Sequence, residues 1–250
     1  MSEAYKVTAI IPAYNAEKYI EETILSVLAQ TEKCKMIIVN DASKDKTLQI
    51  AKRYQEQYPE QICIIDKSQN EGVSAARNSG IRQADTEYVA FLDADDWWSK
   101  EKIELQLSKM KQIDADLCYS GRELMSAEGE TTGKIVSVPE DVDYKKLLLG
   151  NVIPCSSVMV KRKVALQYPW AHDELHEDYV VWLSMLRDNR KVIGIDLPFL
   201  KSRLGEGGKS RNKWKSAKMT YQVYRHIGLS VPEAIWCFLN YAINGIRKYT

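Results

Sequence analysis

Three carboxylates follow an apolar run in the segment YVAFLDADDWW. Tyr88–Leu92 has the pattern of a buried strand, whereas Asp93, Asp95 and Asp96 repel one another and lose hydration if they are buried. The acids belong either to a solvated turn or to a cation site. In an extended chain Asp93 and Asp95 face the same side, because side chains alternate along a strand. That spacing suits Mn²⁺ or Mg²⁺, which takes one or two protein carboxylates and completes its coordination with water and phosphate oxygens.

A second cluster of ionisable residues, the segment HDELHED, precedes the helical run Tyr179–Leu186. Glu177 and Asp178 have two interpretations. They are acids in the first turn of a helix, which its dipole favours, or a carboxylate pair in a cleft that includes a general base. His172 and His176 have the i, i+4 spacing of a zinc pair. Because the sequence offers no third ligand at a fitting spacing, we do not expect zinc.

The elements that would position these acids alternate between strands and helices. The predicted strands are Val7–Ile11, Met36–Val39, Ile62–Ile65 and Tyr88–Leu92. The predicted helices are Tyr19–Gln30, a segment that ends near Tyr58, and Val73–Gln83. Strands separated by helices of this length pair in parallel through right-handed crossovers. The sequence therefore predicts an α/β fold of Rossmann-like character, with a mostly parallel central sheet flanked by helices and followed by C-terminal helices.

Polar residues follow three of the predicted strands at the points where the strands end. Pro12 to Asn15 follow the first strand, Asn40 and Asp41 follow the second, and the acids after Leu92 follow the fourth. Ligands of such sheets bind outside the carboxyl ends of the strands. We therefore expect these groups to form one site.

The segment NEGVSAARNSG opens the helix that precedes the fourth strand. Gly72 permits an unusual backbone angle or a close approach, and the free amides of a helix N-terminus suit an anion. Arg77 offers a planar fork of donors to a phosphate or a base edge. The alternative is a helix whose arginine pairs with a nearby acid.

Four motifs occur in a fixed order: VTAIIPAYNAEKYIEETILSVLAQT, IIVNDASKDKT, NEGVSAARNSG and YVAFLDADD. Together they resemble the nucleotide-sugar-binding half of family 2 glycosyltransferases with the GT-A fold. The resemblance is close over residues 5–100. Residues 100–250 resemble, less tightly, the small bacterial members that build surface polysaccharides.

The resemblance implies roles for individual residues. It implies that the nucleotide is bound by Pro12, Tyr14, Asp41, Arg77 and Asp93. Tyr14 would stack on the uracil ring, and Asp41 would accept a hydrogen bond from the base. Arg77 would lie near the base or the phosphates. Asp95 would be the main protein ligand of Mn²⁺ or Mg²⁺, Asp93 would contact the ribose or the metal, and Asp96 would orient its neighbours.

In the acceptor half, the resemblance implies that Asp178 is the general base of an inverting transfer and that Glu177 orients it or binds the acceptor sugar. The donor would be a UDP-sugar, and the acceptor a saccharide that family analogy places on a lipid carrier. The QxxRW-type signature of processive members is missing, which favours transfer of a single sugar. Two other readings stay open: a nucleotidyltransferase, and a non-catalytic nucleotide-sugar-binding subunit of an assembly complex.

The last fifth of the chain is basic. Residues 201–250 carry ten Lys and Arg against two acids, a net charge of +8, so residues 1–200 carry −7. Such a segment meets a diphosphate or an anionic membrane surface, or it is a solvated helical face. In the glycine-rich segment LGEGGKSR, Lys209 and Arg211 fit either a lid over the donor diphosphate or a plain surface loop. The apolar helix predicted at Val231–Lys248 fits the membrane interface, packing against its own domain, or a dimer contact.

These patterns divide the chain into a nucleotide-sugar-binding half (1–120), an acceptor-binding half of the same domain (121–205), and a basic loop with a C-terminal helical extension (206–250). Five scattered cysteines favour reduced thiols. No apolar stretch approaches the roughly 20 residues that span a bilayer. We therefore expect a cytoplasmic protein, peripheral at most at the inner face of the plasma membrane, and no nucleic-acid partner.

Overall fold

The structure is a computed structural model that describes residues 5–204 and 213–249. The strands are Val7–Ala13 (β1), Lys35–Asn40 (β2), Ile62–Asp66 (β3), Tyr88–Phe91 (β4), Trp97–Trp98 (β5), Leu117–Met125 (β6), Thr131–Val136 (β7), Met159–Lys161 (β8) and Val192–Arg203 (β9). The helices are Ile20–Leu28 (α1), Thr47–Gln57 (α2), Val73–Gln83 (α3), Lys102–Ile113 (α4), Tyr144–Leu148 (α5), Arg162–Ala165 (α6), Glu177–Arg187 (α7), Lys213–His226 (α8) and Val231–Tyr249 (α9).

All of these strands belong to one sheet, in the order β3-β2-β1-β4-β8-β6-β9-β5, with β7 paired to β6. The first four strands pair in parallel, as the alternation of strands and helices predicts. Strand β8 runs antiparallel to both β4 and β6, so it joins the first four strands to the rest of the sheet. The predicted α/β fold is confirmed.

Each face of the sheet packs on its own apolar cluster, because successive side chains of β1 point to opposite sides. Ile11 packs with the buried face of α1, whereas Ile10 belongs to the cluster that contains residues of α3 and the aromatic residues Trp170 and Trp182. Helix α3 lies close to the sheet: a Cβ on Gly80 would come within 2.5 Å of the Ile10 side chain. The small residue at position 80 therefore sets how near α3, and the arginine it carries, lies to the strand ends.

The chain does not remain extended through the acid cluster, so the expected alternation of Asp93 and Asp95 is wrong. Residues 93–96 form a turn in which the Asp96 amide donates to the Asp93 carbonyl at 3.1 Å. The turn brings the chain into β5, where Trp97 and Trp98 pair antiparallel with β9. Contacts with distant segments, not the local residue pattern, fix this conformation.

The C-terminal segment contains two helices in its described part, although the sequence pattern predicts only the second. Helix α8 packs on α9 through an edge-to-face contact of Tyr221 with Phe238, whose ring centroids are 6.4 Å apart. Ala234 and Cys237 on α9 are buried, while Trp236 and Leu239 on the same helix are 59% and 56% exposed. None of the helices in the described part is both long enough and apolar enough to cross a bilayer.

Candidate active site

The carboxyl ends of β1 and β2 contribute to a cavity of about 350 Å³ beside the N-terminus of α3. Its lining residues are Pro12, Ala13, Tyr14, Asp41, Asn70, Gly72, Val73, Ala76 and Asp173. The Tyr14 side chain is half exposed and offers an aromatic face at the cavity. The structure thus brings together three of the residues to which the sequence assigns nucleotide binding, Pro12, Tyr14 and Asp41. Their role in binding stays a prediction.

Asp41 is buried, and its carboxylate closes the loop that leads into α3. It accepts hydrogen bonds from the amides of Glu71 at 3.0 Å and Gly72 at 2.9 Å. The ammonium of Lys67 lies 3.7 Å away. Each carboxylate oxygen has a second lone pair, so Asp41 retains acceptor capacity toward the cavity.

Asp173 is a cavity residue to which the sequence analysis gave no role. Its carboxylate accepts hydrogen bonds from the amide of Ser74, at 3.1 Å, and from the hydroxyl of the same serine. Gly72 has a φ of +90°, and a Cβ there would meet Asp173 Oδ2 at 1.9 Å. The glycine is required both for its backbone angle and for the close approach of Asp173. A loop from residues 121–205 therefore forms one wall of this cavity.

Arg77 is buried and lies between the two acidic groups. Its guanidinium donates to Asp93 at 2.7 Å and to Glu177 at 2.9 Å. It stacks on Trp170, with 4.6 Å between the guanidinium carbon and the ring centroid. The side chain of Asn78 pairs with both the amide and the carbonyl of Trp170, which fixes the ring over the guanidinium. The alternative reading of Arg77, as a cation paired with acids, describes its contacts in the structure.

The acid turn is electrostatically strained. Burial, followed by the charge of Asp93, raises the pKa of Asp95 to about 6. Burial, followed by the charges of Asp95 and Asp93, raises the pKa of Asp96 to about 8. Carboxylates that resist ionisation because they are buried and lie close together gain from a bound cation.

Arg203, at the end of β9, binds two residues of this turn. Its amide donates to the Asp96 carboxylate at 3.0 Å, and its Nε donates to the Asp95 carbonyl at 3.1 Å. The guanidinium also donates to Glu22 and lies over the rings of Tyr19 and Trp97. Asp96 therefore faces the protein interior, and Asp93 and Asp95 are the two partly exposed carboxylates of the turn.

A second cavity, of about 530 Å³, contains Asp178. Its lining residues are Arg122, Lys146, Leu149, Gly150, Asn151, Val152, Ile153, Pro154, Cys155, His176, Asp178, Tyr179, Ser216, Tyr241 and Asn244. We refer to it as the Asp178 cavity. Helices α5, α7, α8 and α9 each contribute lining residues, so the cavity lies between the sheet and the C-terminal helices.

Asp178 lies at the first turn of α7 and is partly buried. Its Oδ1 accepts the hydrogen bond of the Tyr179 amide at 2.7 Å, and Asn151 Nδ2 lies 3.4 Å from Oδ2. Burial and the adjacent charge of Glu177 raise the pKa of Asp178. A carboxylate with a raised pKa at the edge of a cavity suits proton abstraction better than one that only caps a helix.

Asp93 and Asp95 fit a hard divalent cation by donor chemistry, since both supply carboxylate oxygen. Across residues 5–204 and 213–249, no cluster of three or more His, Cys, Asp and Glu side chains could hold a metal by itself. A cation at the turn would therefore depend on substrate oxygens for the rest of its coordination.

The histidines contact helix α8. His176 Nε2 lies 3.1 Å from the Ser216 hydroxyl, and the rings of His172 and His226 have centroids 4.2 Å apart. Lys209 and Arg211, to which the sequence analysis assigned a lid role, lie outside the described residues.

With this geometry established, comparison with known proteins decides the family. A model described as glycosyl transferase family 2 matches residues 8–165. The chain belongs to glycosyltransferase family 2. It is a glycosyltransferase, and its structure has the GT-A fold.

Two full-length relatives are similar to this glycosyltransferase. It is 38% identical over 244 residues to TuaG of Bacillus subtilis (strain 168), whose name connects it with teichuronic acid biosynthesis; 97% of this chain and 96% of TuaG are covered. It is 32% identical over 250 residues to WfgD of Escherichia coli, covering 98% of this chain and 95% of WfgD. WfgD is named UDP-Glc:alpha-D-GlcNAc-diphosphoundecaprenol beta-1,3-glucosyltransferase.

Solved structures share the fold of this glycosyltransferase at low sequence identity. S. aureus TarS 1–349 in complex with UDP-GlcNAc superposes with a TM-score of 0.71 at 21% identity, covering 93% of this chain and 70% of that chain. The mannosyltransferase PcManGT from Pyrobaculum calidifontis, in complex with GDP-Man and Mn²⁺, superposes with a TM-score of 0.69 at 17% identity. That match covers 96% of this chain and 69% of PcManGT.

Proposed function

We propose that this glycosyltransferase moves a single sugar from a UDP-sugar to a saccharide acceptor, with inversion and with Mn²⁺ or Mg²⁺, during assembly of a bacterial surface polysaccharide. The observation that carries the proposal is the shared guanidinium of Arg77. It links Asp93, in the acid turn, to Glu177, the neighbour of Asp178. One buried cation therefore pairs with one of the two proposed metal ligands, Asp93, and with the residue next to the proposed base.

In this proposal the nucleotide lies in the cavity between Tyr14 and Asp173. Tyr14 stacks on the uracil, and Asp41 accepts from the base while it holds the loop before α3. Asp95, with Asp93, holds the divalent ion, which stabilises the charge of the departing diphosphate when it is bound. Arg77 acts mainly by fixing Asp93 and Glu177, with its remaining donor capacity near the phosphates.

Asp178 is the general base in this proposal. It takes the proton of the acceptor hydroxyl while that oxygen attacks the anomeric carbon from the face opposite the leaving UDP. Glu177 orients Asp178 through its ion pair with Arg77. The raised pKa of Asp178 makes it a stronger base than an ordinary aspartate, since the proton it accepts is held more firmly.

The acceptor in this proposal is carried on a lipid, in line with the printed name of WfgD. Residues 1–120 bind the donor and residues 121–205 the acceptor. The segment 206–250 contacts the inner face of the plasma membrane from the cytoplasm. The exposed apolar side chains of α9, among them Ile235, Trp236 and Leu239, suit that contact.

A panel of UDP-sugars, assayed for Mn²⁺-dependent release of UDP with and without acceptor, tests the proposal. One sugar should give release that requires the metal and increases with acceptor. Asp178→Asn should reduce transfer on the order of 10²–10⁴-fold, while Asp188→Asn, at the other end of α7, should transfer normally. Equal transfer by the Asp178→Asn enzyme would show that another group is the base.

A further inference from the structure

The Asp178 cavity has a charge pattern that a neutral sugar does not require. Among its described lining residues are Arg122 and Lys146, which are cationic at neutral pH, and His176. Asp178 is the single carboxylate in that lining. An anion that entered the cavity would be repelled by Asp178, and the two cations offset this repulsion.

The backbone of Lys146 is held next to the helix that carries Asp178. Its amide donates to Asp143, the N-cap of α5, at 2.7 Å. The next carbonyl along the chain, that of Leu147, accepts from the hydroxyl of Tyr179 at 2.7 Å. Because Tyr179 follows Asp178 in α7, a single hydrogen bond joins the helix that carries the lysine to the helix that carries the base.

The far end of α5 is fixed as well. The carbonyl of Leu148 accepts from the Tyr224 hydroxyl at 2.7 Å, and that of Leu149 accepts from Asn244 Nδ2 at 3.0 Å. Helices α7, α8 and α9 therefore each bind one carbonyl at the end of α5. Such a short helix needs these partners, because its own last carbonyls have no intrahelical donors.

Arg122 reaches the cavity from the sheet. It lies in β6, opposite Val136 of β7 on one side and Leu200 of β9 on the other. The strand is thus paired on both sides at this point, and the backbone that carries the guanidinium is fixed. The two cations come from separate elements and approach one cavity.

We propose that Arg122 and Lys146 bind an anionic group of the acceptor, a phosphate or a carboxylate, while the reacting hydroxyl lies at Asp178. The proposal rests on the proposed function, since it concerns the acceptor of that transfer. A guanidinium and an ammonium bind either anion with charge-assisted hydrogen bonds. The phosphate of a lipid diphosphate and the carboxylate of a hexuronic acid present this same chemistry, and the test separates them.

The test compares three acceptors that carry the same reactive sugar: a neutral alkyl glycoside, a lipid diphosphate of the sugar, and the sugar linked to a hexuronic acid. The measured quantity is the ratio of kcat/KM for each charged acceptor to that for the neutral one. The wild-type enzyme should favour one charged acceptor by about 10-fold or more, and that acceptor identifies the anion. Lys146→Gln and Arg122→Gln should each lower the ratio about 10-fold.

Lys145→Gln is the matched control, because Lys145 precedes Lys146 in α5 but does not line the cavity. It should keep the wild-type ratio. Equal kcat/KM for the three acceptors in the wild-type enzyme would overturn the proposal. An increase in the KM of the UDP-sugar, with the acceptor ratio unchanged, would overturn it too, because the cations would then serve the donor.

Calorimetry distinguishes failure of this proposal from failure of the proposed function. An alkyl diphosphate and a hexuronic acid methyl glycoside are titrated into the full chain in saturating UDP, so that the donor site is filled. One of them should bind, and Lys146→Gln should weaken its binding about 10-fold. If neither probe binds, the proposal is wrong even if sugar transfer occurs. If a probe binds but no UDP-sugar is turned over, the proposed function is wrong instead.

Discussion

Asp93 and Glu177 bind different nitrogens of one guanidinium, that of Arg77, at 2.7 and 2.9 Å. The two acids belong to different halves of the chain, one after β4 and the other at the start of α7. The side chains of Arg77 and Glu177 are 3% and 10% exposed, so this pair interacts with little screening by water, whereas the Asp93 side chain is partly exposed. We therefore expect the placement of the proposed base, Asp178, relative to the acid turn to depend on Arg77.

Replacement of Arg77 by methionine should destabilise the protein by about 3–5 kcal/mol, because it leaves the largely buried Glu177 without its cation. The denaturant midpoint at neutral pH measures this change. Arg82→Met is the control, since Arg82 is exposed on the same helix and should change stability by no more than about 0.5 kcal/mol. Equal stabilities of the two variants would show that the bridge contributes little.

The pH dependence of transfer should report Asp178. Burial and the charge of Glu177 raise its pKa above the usual value of about 3.9. Because the base acts in its ionised form, kcat should rise with pH and level off above that raised pKa. Glu177→Gln removes the negative charge that repels the Asp178 carboxylate, so the acidic limb of the kcat–pH profile should move to lower pH. If the acidic limb of Glu177→Gln lies at the same pH as that of the wild type, the charge of Glu177 does not raise the pKa of Asp178.

The first four strands and the residues at their ends could be predicted from the sequence because their signals are local. Val7–Ile11 and Tyr88–Leu92 are short apolar runs, and in a parallel sheet each such run ends at the edge where ligands bind. Tyr14 and Asp41 do line one cavity at this edge.

Other parts of the site depend on contacts between distant residues, which no local pattern reveals. The Asp173 carboxylate bonds Ser74 across 99 positions of sequence, and Arg203 binds Asp96 across 107. The contacts of Arg203 with Asp96 and Asp95 fix the turn at the acid cluster, so an expectation built on strand alternation is wrong there. Gly72 is the single local sign in the sequence that another segment, here the one with Asp173, approaches the start of α3 closely.

A buried lysine away from the site gives a prediction for stability. Lys102 is fully buried, donates to Gln106, and lies 4.0 Å from the ring centroid of Trp98. Burial lowers its pKa to about 7, below the value near 10.4 of an unfolded chain. The unfolded state then binds more protons, so this lysine makes the free energy of unfolding rise by about 1 kcal/mol from pH 7 to 8.

Denaturant unfolding of Lys102→Met at pH 7 and pH 8 measures that contribution. Because Asp96, whose pKa is about 8, changes stability in the opposite sense over the same interval, the measured quantity is the difference between the two proteins. The free energy of unfolding of the wild type minus that of Lys102→Met should increase by about 1 kcal/mol from pH 7 to 8. The interval stops at pH 8 because thiols begin to ionise above it. An equal pH dependence in both proteins would mean that the Lys102 ammonium stays charged, or is hydrated, in the folded state.

Membrane contact through α9 predicts binding to anionic vesicles. Trp236→Glu places a charge on the exposed apolar face and should weaken sedimentation with phosphatidylglycerol vesicles, because it removes apolar burial and adds repulsion. Leu105→Glu, at an exposed position of α4, should bind as the wild type does. If both variants sediment equally, the face of α9 serves another purpose, and a change in oligomeric state of Trp236→Glu would indicate a second copy of the chain.

The most direct test of the central claim is the thermal stability of the protein with UDP, with and without Mn²⁺. UDP with Mn²⁺ should raise the Tm by several degrees, since a ligand that binds the folded state alone stabilises it. Asp95→Asn should lose the part of this shift that requires the metal, and Asp85→Asn, an exposed aspartate elsewhere, should keep it. If Mn²⁺ makes no difference to the UDP shift of the wild type, or if Asp95→Asn keeps the whole shift, the acid turn does not hold a metal for the nucleotide.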